Sequence, residues 1–137
     1  MSLLEVDDVK ITYRMPDTNV HAVNNVSFSV DEGDNYGLVG ESGSGKSTVA
    51  KAILGLLDDN GEIRSGSIRF DGRELIDLSE REWQSVRWED IAYIPQSSMN
   101  SIDPLERIKD QAIEIASAHT EYSDREALER FKEMFEI

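Results

Sequence analysis

The sequence predicts an α/β fold, and two patterns in its first half support this prediction. Apolar and polar residues alternate in two stretches before residue 31, as they do in strands with one buried face. A short apolar run then enters a glycine-rich loop, and the residues after the loop carry apolar side chains at the spacing of an amphipathic helix. A chain that mixes strands with helices in this way is expected to bury one sheet face against helices.

Two strands are predicted near the amino terminus, in "LLEVDDVKITY" and "VSFSV", with the turn-forming residues of "RMPDTN" between them. The alternating apolar positions are Val9, Ile11 and Tyr13 in the first strand and Val26, Phe28 and Val30 in the second. The apolar run "YGLVG", residues 36–40, is predicted as a further short strand that leads into the glycine loop.

A helix is predicted after the glycine loop, because Val49, Ile53, Leu56 and Leu57 share one face of "KSTVAKAILGLL". The stretch "DDNGEIRSG" is rich in turn-forming residues and is predicted as a loop. The stretch "SIRFDGREL" is predicted as a strand that runs into a turn at Asp71-Gly72.

Two later helices are predicted from capping boxes, in which a serine and a glutamate three positions later bond to free N–H groups at the helix start. The pairs are Ser79 with Glu82 and Ser123 with Glu126. Between these helices, "IAYIP" is predicted as a short strand that ends at Pro95. Leu128, Phe131 and Phe135 form the apolar stripe of the last helix, which reaches Ile137 without a stop signal. We therefore expect the chain to be a fragment of a longer domain.

The composition excludes several classes of protein. There is no cysteine, so disulfides and thiolate metal sites are excluded, and no apolar stretch is long enough to span a membrane. With 28 acidic and 14 basic residues the net charge is −14, which disfavours sequence-independent binding to nucleic acid. The acidic residues are spread along the chain and indicate either adaptation to a high-salt cytoplasm or an ordinary acidic protein.

The glycine loop has the pattern G-x-x-x-x-G-K-[ST], which is typical of phosphate-binding loops. Its residues are Gly40, Glu41, Ser42, Gly43, Ser44, Gly45, Lys46 and Ser47, followed by Thr48. Glycines allow a tight turn whose backbone N–H groups all point toward a polyphosphate. Lys46 is expected to reach the β- and γ-phosphates of a nucleotide, and the Ser47 hydroxyl to bind Mg²⁺. A flexible glycine-serine linker would explain neither the lysine nor the flanking elements.

The loop "SGSGKST" and its flanking residues resemble the start of an ABC-transporter ATPase, a P-loop NTPase. The resemblance implies that Tyr13 is the A-loop residue that stacks on adenine, although a tyrosine packed in the sheet is the alternative. It also implies that Gln96, after "IAYIP", is the Q-loop glutamine that contacts Mg²⁺ and the attacking water. An exposed loop glutamine is the alternative for that residue.

The segment "PQSSMNSIDP" resembles the subfamily that takes up dipeptides, oligopeptides and related solutes such as nickel. "HAVNNVSF" and "LVGESGSGKS" are also typical of that group. One departure is Ser97-Ser98, where many members carry Asp-Pro, and it weakens any inference about how the Q-loop meets its membrane partner.

The resemblance implies the N-terminal half of an ABC ATPase domain. Residues 1–100 would form the antiparallel β subdomain with the Walker A loop, the Q-loop and part of the RecA-like α/β core. Residues 101–137 would begin the helical subdomain. The implied ligands are ATP and Mg²⁺, and the implied partners are a second ATPase subunit, bound head to tail, and transmembrane permease subunits. The implied location is cytoplasmic, at the inner face of the cell membrane.

Several groups that the family uses for hydrolysis are missing from this sequence. It contains no LSGGQ-like signature, no apolar strand that ends in Asp-Glu, and no histidine placed to act as the switch. We interpret His21 and His119 as surface residues, and Trp83 and Trp88 as packing residues. The chain is therefore expected to bind ATP without hydrolysing it efficiently, and to leave core strands without their neighbours.

Two other classes of function remain open. A P-loop NTPase unconnected with transport is one, although no Asn-Lys-x-Asp guanine-binding motif is present and zinc-dependent repair ATPases are excluded by the lack of cysteine. A catalytically inactive module that keeps the nucleotide loop is the other.

Overall fold

A computed structural model describes residues 2–95 and 102–134, apart from the side chain of Trp88. The chain forms two compact units, Met1–Ile91 and Ala92–Ile137. The first unit contains a four-stranded sheet, and the second contains a pair of helices.

The sheet of the first unit is antiparallel throughout, with the strand order β2-β1-β3-β4. Its strands are β1 (Ser2–Arg14), β2 (Asn19–Asp31), β3 (Gly61–Phe70) and β4 (Arg73–Glu74). The long strands β1 and β2 confirm the two strands that apolar alternation predicts near the amino terminus. The turn between β3 and β4 lies at Asp71-Gly72, as predicted.

One face of the sheet forms the core of this unit. Val6, Val9, Ile11 and Ile68 are almost fully buried, and they pair across β1 and β3 or lie near each other along β1. Burying a valine or isoleucine side chain contributes about 1.5–3 kcal/mol each. This apolar face is therefore the main source of stability for the unit.

Two helices cover that face. The first is α1 (Lys46–Ile53), which contributes Val49 and Ala52 to the core, and the second is α2 (Glu80–Ser85), which contributes Trp83. A π-helical turn, Val86–Asp90, follows α2 directly. The burial of Trp83 agrees with its interpretation as a packing residue.

The capping box predicted at Ser79 is present at the start of α2. The backbone N–H of Ser79 donates to a Glu82 carboxylate oxygen at 2.9 Å, and the Ser79 hydroxyl donates to the same oxygen at 2.6 Å. Both bonds hold the pKa of Glu82 below its ordinary value of 4.5, and the bond from the hydroxyl has the larger effect.

The second unit contains α3 (Ile108–His119) and α4 (Asp124–Glu133), which bury Ala112 and Ala127. The capping box predicted at Ser123 and Glu126 is present at the start of α4. The sequence did not predict α3, and His119, interpreted as a surface residue, is exposed at the end of that helix. Of the predicted apolar stripe, Leu128 and Phe131 are half-buried, whereas Phe135 lies outside the described residues.

Two predicted strands are absent from the structure. Residues 36–40 and 91–95 have no strand structure, and Val39 and Ile94 in these segments are 91% and 87% exposed. A strand needs a neighbour to satisfy its N–H and C=O groups, and no strand among the described residues pairs with either segment.

The prediction of a loop for "DDNGEIRSG" is also partly wrong. Strand β3 begins at Gly61, because Gly61, Glu62 and Ile63 pair with β1 in one continuous register. The pairing with β1 overrides the local preference of glycine, asparagine and serine for turns.

The Glu82 capping bond predicts a pH-dependent contribution to stability. Because the folded-state pKa of Glu82 is lowered, its contribution is complete above pH 4.5 and is lost as the pH falls through the folded-state value. The thermal midpoints of the chain and of Glu82→Gln should therefore differ at pH 7 and converge as the pH falls below 4.5. The exposed Glu89→Gln, which alters no capping box, is the control, and a Glu82→Gln difference that is constant from pH 7 to pH 3 would contradict the assignment.

Candidate functional site

The glycine loop folds around residues in the left-handed backbone region. Gly43 and Gly45 have φ angles of +81° and +90°, which L-amino acids with a side chain adopt only at a cost. The N–H of Ser44 donates to the Glu41 carbonyl at 3.2 Å and closes a tight turn in the middle of the loop. These dihedral angles explain the glycines of the motif.

Gly45 also lies directly against strand β2. A Cβ atom at this position would collide with the carbonyl oxygen of Ala22 and would lie 3.2 Å from a methyl group of Val23. Val23 is buried in the core of the sheet. The loop is therefore held against the sheet by a backbone contact that only glycine permits.

The Lys46 ammonium group lies inside the curve of the loop. It donates to the carbonyl oxygens of Gly40 at 2.8 Å and Glu41 at 2.6 Å, and to the Ser44 hydroxyl at 3.2 Å. Lys46 is half-buried, and the loop thereby concentrates one positive charge at its centre.

Helix α1 begins at Lys46, directly after the loop. Its first backbone bond runs from the N–H of Val49 to the Gly45 carbonyl at 2.9 Å. The N–H groups of Lys46, Ser47 and Thr48 precede that bond, and the first N–H groups of a helix have no partner within the helix. Together with the positive end of the helix dipole, they form a favourable site for an anion.

These elements surround a cavity of about 160 Å³. Its lining residues are Ala22, Gly43, Ser44, Gly45, Lys46, Ser47 and Thr48. The carbonyl oxygens of Gly40 and Glu41 accept hydrogen bonds from Lys46, whereas Ser42 is exposed and does not line the cavity. The donor set consists of an ammonium group, backbone N–H groups and hydroxyls, which suits a phosphate chain.

Two of the predicted site residues, Tyr13 and Gln96, lie outside the loop in the sequence. Tyr13 lies on β1, is half-buried and pairs with Gly61, where a Cβ atom would approach the tyrosine ring to 2.8 Å. It is not among the lining residues of the cavity. Gln96 lies outside the described residues, and so do Ser97 and Ser98.

Sequence reasoning missed Ala22, which lines the cavity from β2. Ala22 also contacts Gly45 through its backbone carbonyl, and a contact of this kind leaves no pattern in the sequence. Within residues 2–95 and 102–134, no group of three or more histidine, aspartate and glutamate side chains is arranged to hold a metal ion. The helices of the same residues include none that is long and apolar enough to cross a bilayer.

Comparison with known sequences gives matches along almost the whole chain. The ABC transporter family matches residues 23–136. The oligopeptide transport ATP-binding protein OppD of Salmonella typhimurium is 44% identical over 134 residues, which are 98% of this chain and 40% of that protein. The dipeptide transport ATP-binding protein DppD of Lactococcus lactis is 39% identical over 98% of this chain and 39% of its own length. The chain thus spans about two fifths of these relatives.

Solved structures with a similar fold are ATP-binding cassettes. A dimeric structure of the cassette MJ0796, described as a bacterial ABC transporter cassette, aligns with a TM-score of 0.78 and 26% identity. The alignment covers 95% of this chain and 54% of that one. A structure of MJ0796 in a post-hydrolysis state, bound to ADP and Pi, gives a TM-score of 0.75 at 24% identity over 94% of this chain and 56% of that one. The fold expected from the sequence, that of the N-terminal part of an ABC ATPase domain, is thereby confirmed.

The contact between Gly45 and Ala22 predicts unequal effects of two similar substitutions. Gly43→Ala meets open space and should lower the free energy of unfolding only by the cost of a positive φ, about 1–2 kcal/mol. Gly45→Ala has the same cost from a positive φ and also places a Cβ atom against the Ala22 carbonyl. This substitution should therefore lower the free energy of unfolding by more than Gly43→Ala does. Urea unfolding of both variants measures the difference, and equal losses would contradict the close contact.

Proposed function

The chain belongs to the ABC transporter family, and we propose that it is the ATP-binding part of the ATPase subunit of an importer for peptides or similar small solutes. The observation that carries this proposal is the cavity in which Lys46 and the first N–H groups of α1 converge. The names of the relatives, which are oligopeptide and dipeptide transport ATP-binding proteins, support peptides as the cargo of the whole transporter.

The loop residues would hold the triphosphate of ATP, whose bound Mg²⁺ neutralises developing charge during phosphoryl transfer. Lys46 would exchange its bonds to loop carbonyls for bonds to the β- and γ-phosphates, and the N–H groups of the loop and of α1 would complete the cradle. The Ser47 hydroxyl would be a ligand of Mg²⁺, which in nucleotide sites is bound by few side chains and by the phosphates themselves.

Two further roles belong to the same proposal. Tyr13 would stack on the adenine ring, which requires a partly exposed aromatic face, and Tyr13 is half-buried on β1. Gln96 would contact Mg²⁺ and the attacking water, a role that rests on its position after "IAYIP" in the sequence.

Efficient hydrolysis would require groups that these 137 residues do not include. The sequence contains no signature motif, Walker B acid or switch histidine, and phosphoryl transfer depends on such positioned charges. We therefore propose that the chain by itself binds ATP and hydrolyses it slowly. In the whole transporter, two ATPase subunits would act as a head-to-tail pair on permease subunits at the cytoplasmic face of the membrane. The dimeric MJ0796 structures support the pairing.

Substitution of Lys46 tests the phosphate site. Lys46→Met should weaken binding of MgATP by about 10- to 100-fold, because it removes charge-assisted bonds to phosphate. Lys51→Met is the matched control, since Lys51 lies on the same helix and pairs with Asp58 at 3.0 Å, away from the loop. Isothermal titration calorimetry gives both affinities.

Equal losses of affinity in the two variants would contradict a phosphate site at Lys46. Tight binding of MgATP to the Lys46→Met variant would do the same.

The second prediction concerns hydrolysis by the purified chain. Phosphate release from MgATP should be far slower than from intact transporters, while ATP remains bound and recoverable unchanged. A coupled phosphate assay with the Lys46→Met variant as blank measures this rate. A steady rate comparable to that of intact transporters would overturn the proposal that the chain lacks essential catalytic groups.

A further inference from the structure

The carboxyl end of α1, the helix that begins at the phosphate loop, is closed by a glycine. The N–H of Leu56 donates to the Lys51 carbonyl at 2.8 Å, and the N–H of Gly55 donates to the Ala52 carbonyl at 3.1 Å. Gly55 has a φ angle of +62°, so this is a Schellman motif with glycine in its usual position. The carbonyls of Leu54, the residue that caps the helix, and of Gly55 lie at this end of α1.

A single side chain, that of Arg87, satisfies these two carbonyls. Its Nε donates to the Leu54 carbonyl and its NH2 group to the Gly55 carbonyl, both at 2.9 Å. A guanidinium group at the carboxyl end of a helix also interacts favourably with the helix dipole. Arg87 therefore caps α1 from outside the helix.

Arg87 is itself held in place by α2. Its NH1 group pairs with Glu80 at 2.9 Å, and its guanidinium carbon lies 5.0 Å from the ring centre of Trp83. This arginine side chain is only 22% exposed, and the planar group can stack and donate in several directions at once. Such geometry is specific to arginine.

Trp83 completes the contact by packing against Gly55. A Cβ atom at Gly55 would collide with the indole ring, and Trp83 is only 6% exposed. Arg87 lies in the π-helical turn, and such turns are frequent at functional sites. Leu54, Gly55, Trp83 and Arg87 are called the α1 latch below.

We propose that Arg87 is a positioning residue for the nucleotide site, acting through α1. Helix α1 has only eight residues, so its two ends belong to one short rigid element. The latch fixes its carboxyl end, and the phosphate loop forms its amino end. Nucleotide binding at the loop therefore changes the environment of Trp83, and loss of Arg87 loosens the loop. This inference rests on the proposed binding of ATP.

The test compares Arg87→Met with Arg87→Lys and with Arg81→Met. Methionine keeps the apolar stem, and lysine keeps the charge but cannot bond to both carbonyls and Glu80 with a planar fork. Arg81 is an exposed arginine on α2 and provides the matched control. Arg87→Lys keeps the test decisive if the methionine variant does not fold.

The first measurement needs no nucleotide. Amide hydrogen exchange over residues 49–56, whose N–H groups are bonded within α1 and its end, should accelerate by about tenfold in Arg87→Met, because charge-assisted hydrogen bonds that stabilise the helix end are lost. Exchange in β1 and β3 should be unchanged, Arg87→Lys should be intermediate, and Arg81→Met should match the unchanged chain. Unchanged exchange over residues 49–56 in both Arg87 variants would overturn the proposal that Arg87 holds α1.

The second measurement follows Trp83 alone, in a Trp88→Phe background. Saturating MgATP should shift the fluorescence emission of Trp83 in the parent chain and in Arg81→Met, but not in Arg87→Met. The affinity of Arg87→Met for ATP should also be about tenfold weaker than that of the parent chain. An emission insensitive to bound ATP in the parent chain, or equally sensitive in Arg87→Met, would overturn the inference. Absence of ATP binding to the parent chain would instead refute the proposed function, and the exchange measurement would still decide whether Arg87 holds α1.

Discussion

The close approach of Gly45 to the Ala22 carbonyl is the constraint on which the rest of the site depends. It joins the phosphate loop to β2, and β2 is held by its pairing with β1 and by the burial of Val23. The buried face of the sheet thereby sets the position of the loop and of the first turn of α1. A side chain at this one position would push the loop away from the sheet. The glycine of the motif is thus needed for packing as well as for its dihedral angles.

The opposite end of α1 is governed by a similar constraint. Gly55 leaves room for Trp83, and Arg87 donates to the carbonyls of Leu54 and Gly55 just after the helix. Both ends of the helix are therefore fixed by a glycine that touches another element, β2 at one end and α2 at the other. Between them, Val49 and Ala52 bury the inner face of the helix in the core. A short helix fixed at three places can present its first N–H groups in a constant geometry.

Local patterns predicted the elements whose stability is local. Apolar alternation predicted β1 and β2, and the capping boxes predicted the starts of α2 and α4. The helix α3 was missed because Arg107 precedes it without a side-chain capping bond, so the start signal was lacking. The segments 36–40 and 91–95 are apolar but do not form strands, because a strand also needs a neighbour. Six of the nine predicted loop residues, 43–48, line the cavity, whereas Ala22 and Arg87 make long-range contacts that no local pattern contains.

We propose that this chain binds a nucleotide at the loop before α1, and the other assignments depend on that binding. The most direct test is a titration of the isotope-labelled chain with MgATP, followed through the backbone amide signals by nuclear magnetic resonance. We expect saturable shifts that are largest for the amides of residues 43–48, which line the cavity, with smaller shifts across β3 and β4. Shifts that do not saturate, or that are largest away from the loop, would contradict this proposal.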